Sequence, residues 1–135
     1  MLILINLSCN VLQDPGSLGY SDFQEMKCSS SEVENEIEAL SRDSKFKVNT
    51  SDSTILNWWV ENGYEFLNFK CLKINKRLYM LTITNDDDSE STLSIRSYYN
   101  RNKQEWMFAK EFSEIDLYRS KKDFQLLINN FSTCK

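Results

Sequence analysis

Between Tyr64 and Phe112 the chain strings together four strand-like segments whose connections are too short for anything but antiparallel pairing. Parallel neighbours need a crossover of about a dozen residues or more, whereas antiparallel ones close through a tight turn. The first segment, YEFLNFKCLKI (64–74), leads into Asn75-Lys76. The second, RLYMLTIT (77–84), is apolar on nearly every residue, which suits a central strand covered on both faces. The third, TLSIRSYY (92–99), alternates Leu93 and Ile95 with Ser94 and Arg96, the period of a half-exposed strand. After the polar turn 100–103, EWMFAKEF (105–112) places Trp106, Phe108 and Phe112 on one side.

Helical patterns flank this meander. Ser31 and Glu34 form a capping box ahead of Val33, Ile37 and Leu40, so 32–42 reads as an amphipathic helix with Glu38 set to pair Arg42. In STILNWWVEN (53–62), Ile55, Leu56, Trp59 and Val60 make a helical face, with Ser53 as cap and Gly63 as stop, although a strand is also compatible. At the far end, Ser120 and Asp123 form a second box before Phe124, Leu127, Ile128 and Phe131. Residues 13–22, with Asp14-Pro15-Gly16 and Gly19, read as loop, and MLILI at the start as a buried strand. The fold class is therefore α+β: a single domain, 1–135, with an antiparallel four-strand meander, a possible N-terminal strand, and two or three helices packed on one face.

At 135 residues and 41% hydrophobic, the chain can bury a self-sufficient core. Cysteines 9, 28, 71 and 134 include no CxxC pair, so reduced thiols in a cytoplasmic protein are expected. A disulfide framework, with pairing that spacing does not reveal, is the alternative. Leu2 to Ile5 is too short for a signal-peptide core, no Lys or Arg precedes it, and no stretch reaches the length of a membrane span.

Histidine is absent, which removes histidine-dependent nucleophilic triads, imidazole bases and histidine-bearing zinc sites. Three glycines cannot build a conventional phosphate loop. Asp86, Asp87, Asp88 and Glu90 form an acidic turn. As a calcium loop starting at Asp86 it fails at the sixth position, Ser91 instead of glycine, and at the twelfth, Ser97 instead of glutamate. No metal and no cofactor are expected. The turn is then either solvated or a recognition surface.

Net charge is −4, and residues 1–40 hold seven acids against Lys27 alone, a balance that favours basic partners over nucleic acid or anionic membrane. Basic residues gather mildly at 70–77 (Lys70, Lys73, Lys76, Arg77) and 119–122 (Arg119, Lys121, Lys122), and with Tyr98 and Tyr99 they sketch a nucleic-acid face that the overall acidity disfavours. Trp58 is read either as core or as an outward-facing anchor for a partner.

In size, acidity and strand-rich organisation the chain resembles the immunity proteins of bacterial polymorphic-toxin and contact-dependent growth-inhibition systems. Scarce alanine (Ala39 and Ala109 only), with Asn, Ser, Lys and Ile plentiful, also fits a horizontally acquired gene. The resemblance implies a non-enzymatic, monomeric inhibitor that binds a cognate toxin, often a basic nuclease, by presenting carboxylates where phosphates would sit. The expected contact residues are Asp86, Asp87, Asp88, Glu90, Glu32, Glu36 and Trp58. The alternatives are a dimeric secretion chaperone and a small carboxylate-dependent enzyme.

Overall fold

The computed structural model describes residues 18–135, so the MLILI strand and the first half of the predicted N-terminal loop, 13–17, lie outside the described residues. Within them the fold is α+β as expected: an open antiparallel sheet of five strands with three helices. The strands are β1 (Asp22–Met26), β2 (Phe69–Ile74), β3 (Arg77–Asn85), β4 (Ser91–Asn100) and β5 (Glu105–Phe108). The helices are α1 (Ser30–Ser41), α2 (Ser53–Glu61) and α3 (Glu114–Asn129).

The meander β2-β3-β4-β5 forms as read, and β4 is its organising strand. One edge of β4 pairs with β3. The other edge is shared end to end, with β1 opposite residues 91–95 and β5 opposite residues 97–100. The β2–β3 turn is a tight two-residue loop in which Asn75 and Lys76 both take positive φ, at 49° and 69°. That mirror-image turn geometry matches the right-handed twist of the flanking strands.

Several boundaries differ from the sequence reading, each for a local reason. Residues 22–26, expected to follow loop, pair as an edge strand through the backbone; only Met26 is buried, so no alternation marks it. α1 starts two residues early because Ser29 and Glu32 make an equally good capping box, one that seats both Val33 and Ile37 in the core. Glu38 reaches Lys70 at 3.4 Å on β2 rather than Arg42. The 64–74 strand begins at Phe69, since α2 ends in a full Schellman motif that occupies Gly63 and Tyr64. The Tyr64 amide donates to Trp59 O (2.9 Å), the Gly63 amide donates to Val60 O (3.1 Å), and Gly63 sits at φ +87°. β5 stops at Phe108, where a turn of 3₁₀ helix begins. α3 starts at Glu114, capped by Ser113 with Asp116. Its first two turns carry Ile115, Leu117 and Tyr118 in solvent, so they lack the apolar stripe seen from Phe124 onward.

The helices cover both faces of the sheet, not one. α1 and α3 pack on the face of Leu72, Ile74, Tyr79, Leu81, Ile83, Leu93 and Ile95. α2 packs on the opposite face, with Trp59 against Leu78, Met80 and Trp106. This explains why β4 is not half-exposed: Ser94, Arg96 and Ser97 are buried although polar. Met80 lies opposite Ser97 and Leu81 opposite Ile95, so a bulge leaves Arg96 without a residue across from it. The Arg96 guanidinium then donates from Nε to the Thr82 hydroxyl (2.8 Å) and from Nη1 to Gly19 O (2.9 Å), which satisfies a buried cation.

Reduced thiols are also corrected. Cys28 and Cys134 form a disulfide across a sequence separation of 106, tying the C-terminal segment to the start of α1. Cys71 is free, and burial pushes its thiol up to about 12, leaving it protonated at neutral pH.

Candidate functional site

The β3–β4 hairpin has two chemically opposite ends. Arg77 to Asn85 is eight residue steps, ~26 Å at about 3.3 Å per step. At the Asn85 end sits the acidic turn. At the Arg77 end lies a basic cleft.

The acidic turn is closed by its own backbone, with the Asp86 and Asp87 amides both donating to Glu90 O at 3.1 Å. Thr92 Oγ1 donates to Asp86 (2.7 Å), and the amide and hydroxyl of Ser89 donate to Asp87. Those Ser89 bonds hold the Asp87 carboxyl below its ordinary value. Asp86, Asp87, Asp88 and Glu90 are all exposed.

Two further acids join them. Glu25 on β1 lies directly opposite Thr92, the residue that holds Asp86. Ser91 donates its hydroxyl to Cys28 O (2.9 Å), which brings the start of α1, with Glu32, to the same end. A hollow of about 500 Å³ between β1 and the turn is lined by Gln24, Glu25, Met26, Lys27, Ser89 and Glu90.

Glu36 is differently occupied. It accepts from the Ser132 hydroxyl (2.8 Å), the Thr133 amide (2.8 Å) and the Thr133 hydroxyl (2.6 Å), clamping the C-terminal segment beside the disulfide. Burial opposes its ionisation, but these hydrogen bonds together outweigh burial and lower its pKa. Its carboxylate is thus a structural tether.

Trp58 does not face outward. It is half-buried, stacked on Tyr64 with centroids 6.0 Å apart and edge-on to Trp59 at 4.9 Å. It lines an apolar hollow of about 440 Å³ with Ile55, Tyr99, Trp106 and Phe108, at the β5 end of β4 and away from the acidic turn. Two exposed aromatics lie along β1 and the residues before it: Tyr20 and Phe23, 55% and 52% exposed, meet edge-on at 5.2 Å, with Tyr20 beside Arg96 (5.7 Å) toward the middle of β4. Phe23 is two residues from Glu25 on the same side of β1. Their exposure follows from β1 being an edge strand in the described sheet, and no strand pattern in DFQEM announces that.

The basic cleft, about 670 Å³, opens between the Asn75-Lys76 turn, the β4–β5 turn and α3. Lys76, Arg77, Arg101, Arg119 and Lys122 line it together with Tyr98, Tyr99, Asp116 and Asp123. Both carboxylates are engaged beneath it. Asp123 accepts from Asn75 (2.6 Å) and from the Tyr79 hydroxyl, and Asp116 pairs with Arg77 at 3.3 Å. Burial works against ionised Asp116, yet Ser113, Tyr98 and the Arg77 charge together hold its pKa down. Burial and then Asp123 push the Tyr79 phenol up, so it serves as a proton donor. The sequence shows these basic residues as two separate mild clusters; the turn geometry and α3 bring one flank of each together.

No family model, no curated protein and no solved structure matches the chain. Among the described residues no helix is long and apolar enough to cross a membrane.

Proposed function

We propose that the chain is a protein-binding inhibitor of immunity-protein character that meets a basic partner, such as a nuclease-type toxin domain, through its acidic end. The observation that carries this reading is the gathering of Asp86, Asp87, Asp88, Glu90, Glu25 and Glu32 at one end of the sheet, with the exposed Tyr20–Phe23 pair along β1 and the residues before it. Clustered carboxylates accelerate encounter with a basic surface and set its orientation. Aromatic side chains supply the desolvated contacts that slow dissociation, and in this reading Tyr20 and Phe23 take the place expected of Trp58. Glu36 supports the surface from behind by holding the C-terminal segment.

Cytoplasmic residence, expected with reduced thiols, fits less well with Cys28–Cys134, because structural disulfides persist in oxidising compartments. The reading therefore sets the encounter in an oxidising compartment.

Affinity capture from the source cell tests the proposal. The native chain should retain a basic protein that elutes with salt, and the variant D86K/D87K/D88K/E90K should lose it. Retention of the same proteins by both chains would sink the acidic-end reading.

A further inference from the structure

We propose that the basic cleft at the opposite end binds a small molecule carrying clustered phosphates, of the size of a nucleoside triphosphate. This site is independent of the acidic end, and neither reading rests on the other.

Charge is the first support. Five cationic side chains face two carboxylates in the cleft, although the whole chain carries −4. Asp116 offsets Arg77 and Asp123 keeps its charge beneath Asn75 and Tyr79, so the lining residues retain an excess of three positive charges, five cations against two carboxylates. Lys76, Arg119 and Lys122 are exposed and form no ion pair among the described residues. Lys122 rests over the Tyr118 ring at 4.8 Å, and Arg101 pairs with Asp52 at 3.2 Å while facing Tyr99.

Arg77 is the second support. Its guanidinium lies 3.9 Å above the Tyr98 ring, and one arm holds Asp116. Arg77 also faces the Tyr79 phenol oxygen, and its Nη1 is buried without an acceptor in good hydrogen-bond geometry. A buried donor without a well-placed acceptor is unfavourable, and an anion oxygen reaching the cleft floor would relieve that cost. The stacked, ion-paired guanidinium is already oriented, so little side-chain freedom is lost on binding.

The third support is size. A hollow of about 670 Å³ falls within the roughly 300–1,000 Å³ of small-ligand sites. Several cations around one hollow match a multiply charged oligophosphate better than a single carboxylate, because guanidinium forks pair phosphate oxygens two at a time. A longer polyanion would run out of the cleft onto a protein of net negative charge, which disfavours an extended nucleic acid.

The probes are ATP, inorganic pyrophosphate and single-stranded oligonucleotides of increasing length, each titrated at low salt while amide chemical shifts are followed. Saturable shifts for ATP and pyrophosphate are expected in residues 75–77, 100–102 and 119–122, with Kd between about 10 μM and 1 mM. The exposed variant K76E/R119E should weaken both at least about tenfold with its thermal unfolding retained, and K76A/R119A should fall between it and the native chain. The proposal is overturned by any of three results: no saturable shift up to about 10 mM of either probe, an unchanged affinity in folded K76E/R119E, or an affinity that climbs with oligonucleotide length.

Discussion

The Tyr79 hydroxyl donates to the Asp123 carboxylate, a bond that locks the start of β3 to α3 from inside the protein. Asn75 donates to the other oxygen of Asp123 from the β2–β3 turn, so one buried carboxylate joins strand, turn and helix. Removing the phenol leaves Asp123 with a single donor in a buried setting, where an unmet hydrogen bond is costly. Tyr79→Phe should lose about 1–3 kcal/mol in urea unfolding. A loss under about 0.5 kcal/mol would mean that water or another group replaces the phenol.

The disulfide closes nearly the whole described chain into one loop. Cross-linking at that separation restricts the unfolded ensemble, and Cys28→Ser/Cys134→Ser should cost about 3–5 kcal/mol. Peptide mapping after alkylation under native conditions should recover the Cys28 and Cys134 peptides joined. Both peptides recovered alkylated would restore the reduced-thiol expectation.

Glu36 ties acid stability to the same segment. Its pKa in the folded protein lies below the ordinary 4.5, so its stabilising contribution is present above pH 4.5 and disappears as pH falls through the lowered value. Thermal melts of the native chain should therefore drop on acidification below pH 4.5 more steeply than those of Glu36→Gln, which cannot ionise. Parallel acid limbs in the two proteins would show that the clamp to Ser132 and Thr133 carries no linkage.

Trp58 and Trp59 separate by burial. Trp59 is 0% exposed and packs against Trp106 and Tyr64, so Trp59→Ala should cost about 3–5 kcal/mol. Trp58→Ala should cost clearly less and leave partner capture intact, since it sits away from the acidic turn. Loss of capture in a folded Trp58→Ala protein would return Trp58 to the role the sequence first assigned it.

The meander was legible because its turns are short and RLYMLTIT is apolar throughout. The acidic turn was legible because charge density needs no fold to be seen. Three features were hidden for physical reasons. β1 buries only Met26, so an edge strand held by backbone bonds left no periodicity. Ser94 and Arg96 looked solvent-facing because β4 buries a polar face, made tolerable by the Thr82 and Gly19 hydrogen bonds. Cys28 and Cys134, with Lys76 and Arg119, are brought near each other only by topology, which no local spacing encodes.

Steering of a basic partner by the acidic end, as proposed, would show most directly in how the association rate of the captured protein depends on ionic strength. For the native chain the rate should fall at least about tenfold between low and high salt, while D86K/D87K/D88K/E90K should associate slowly and with little salt dependence. Equal rates and equal salt dependence in the two proteins would contradict the account.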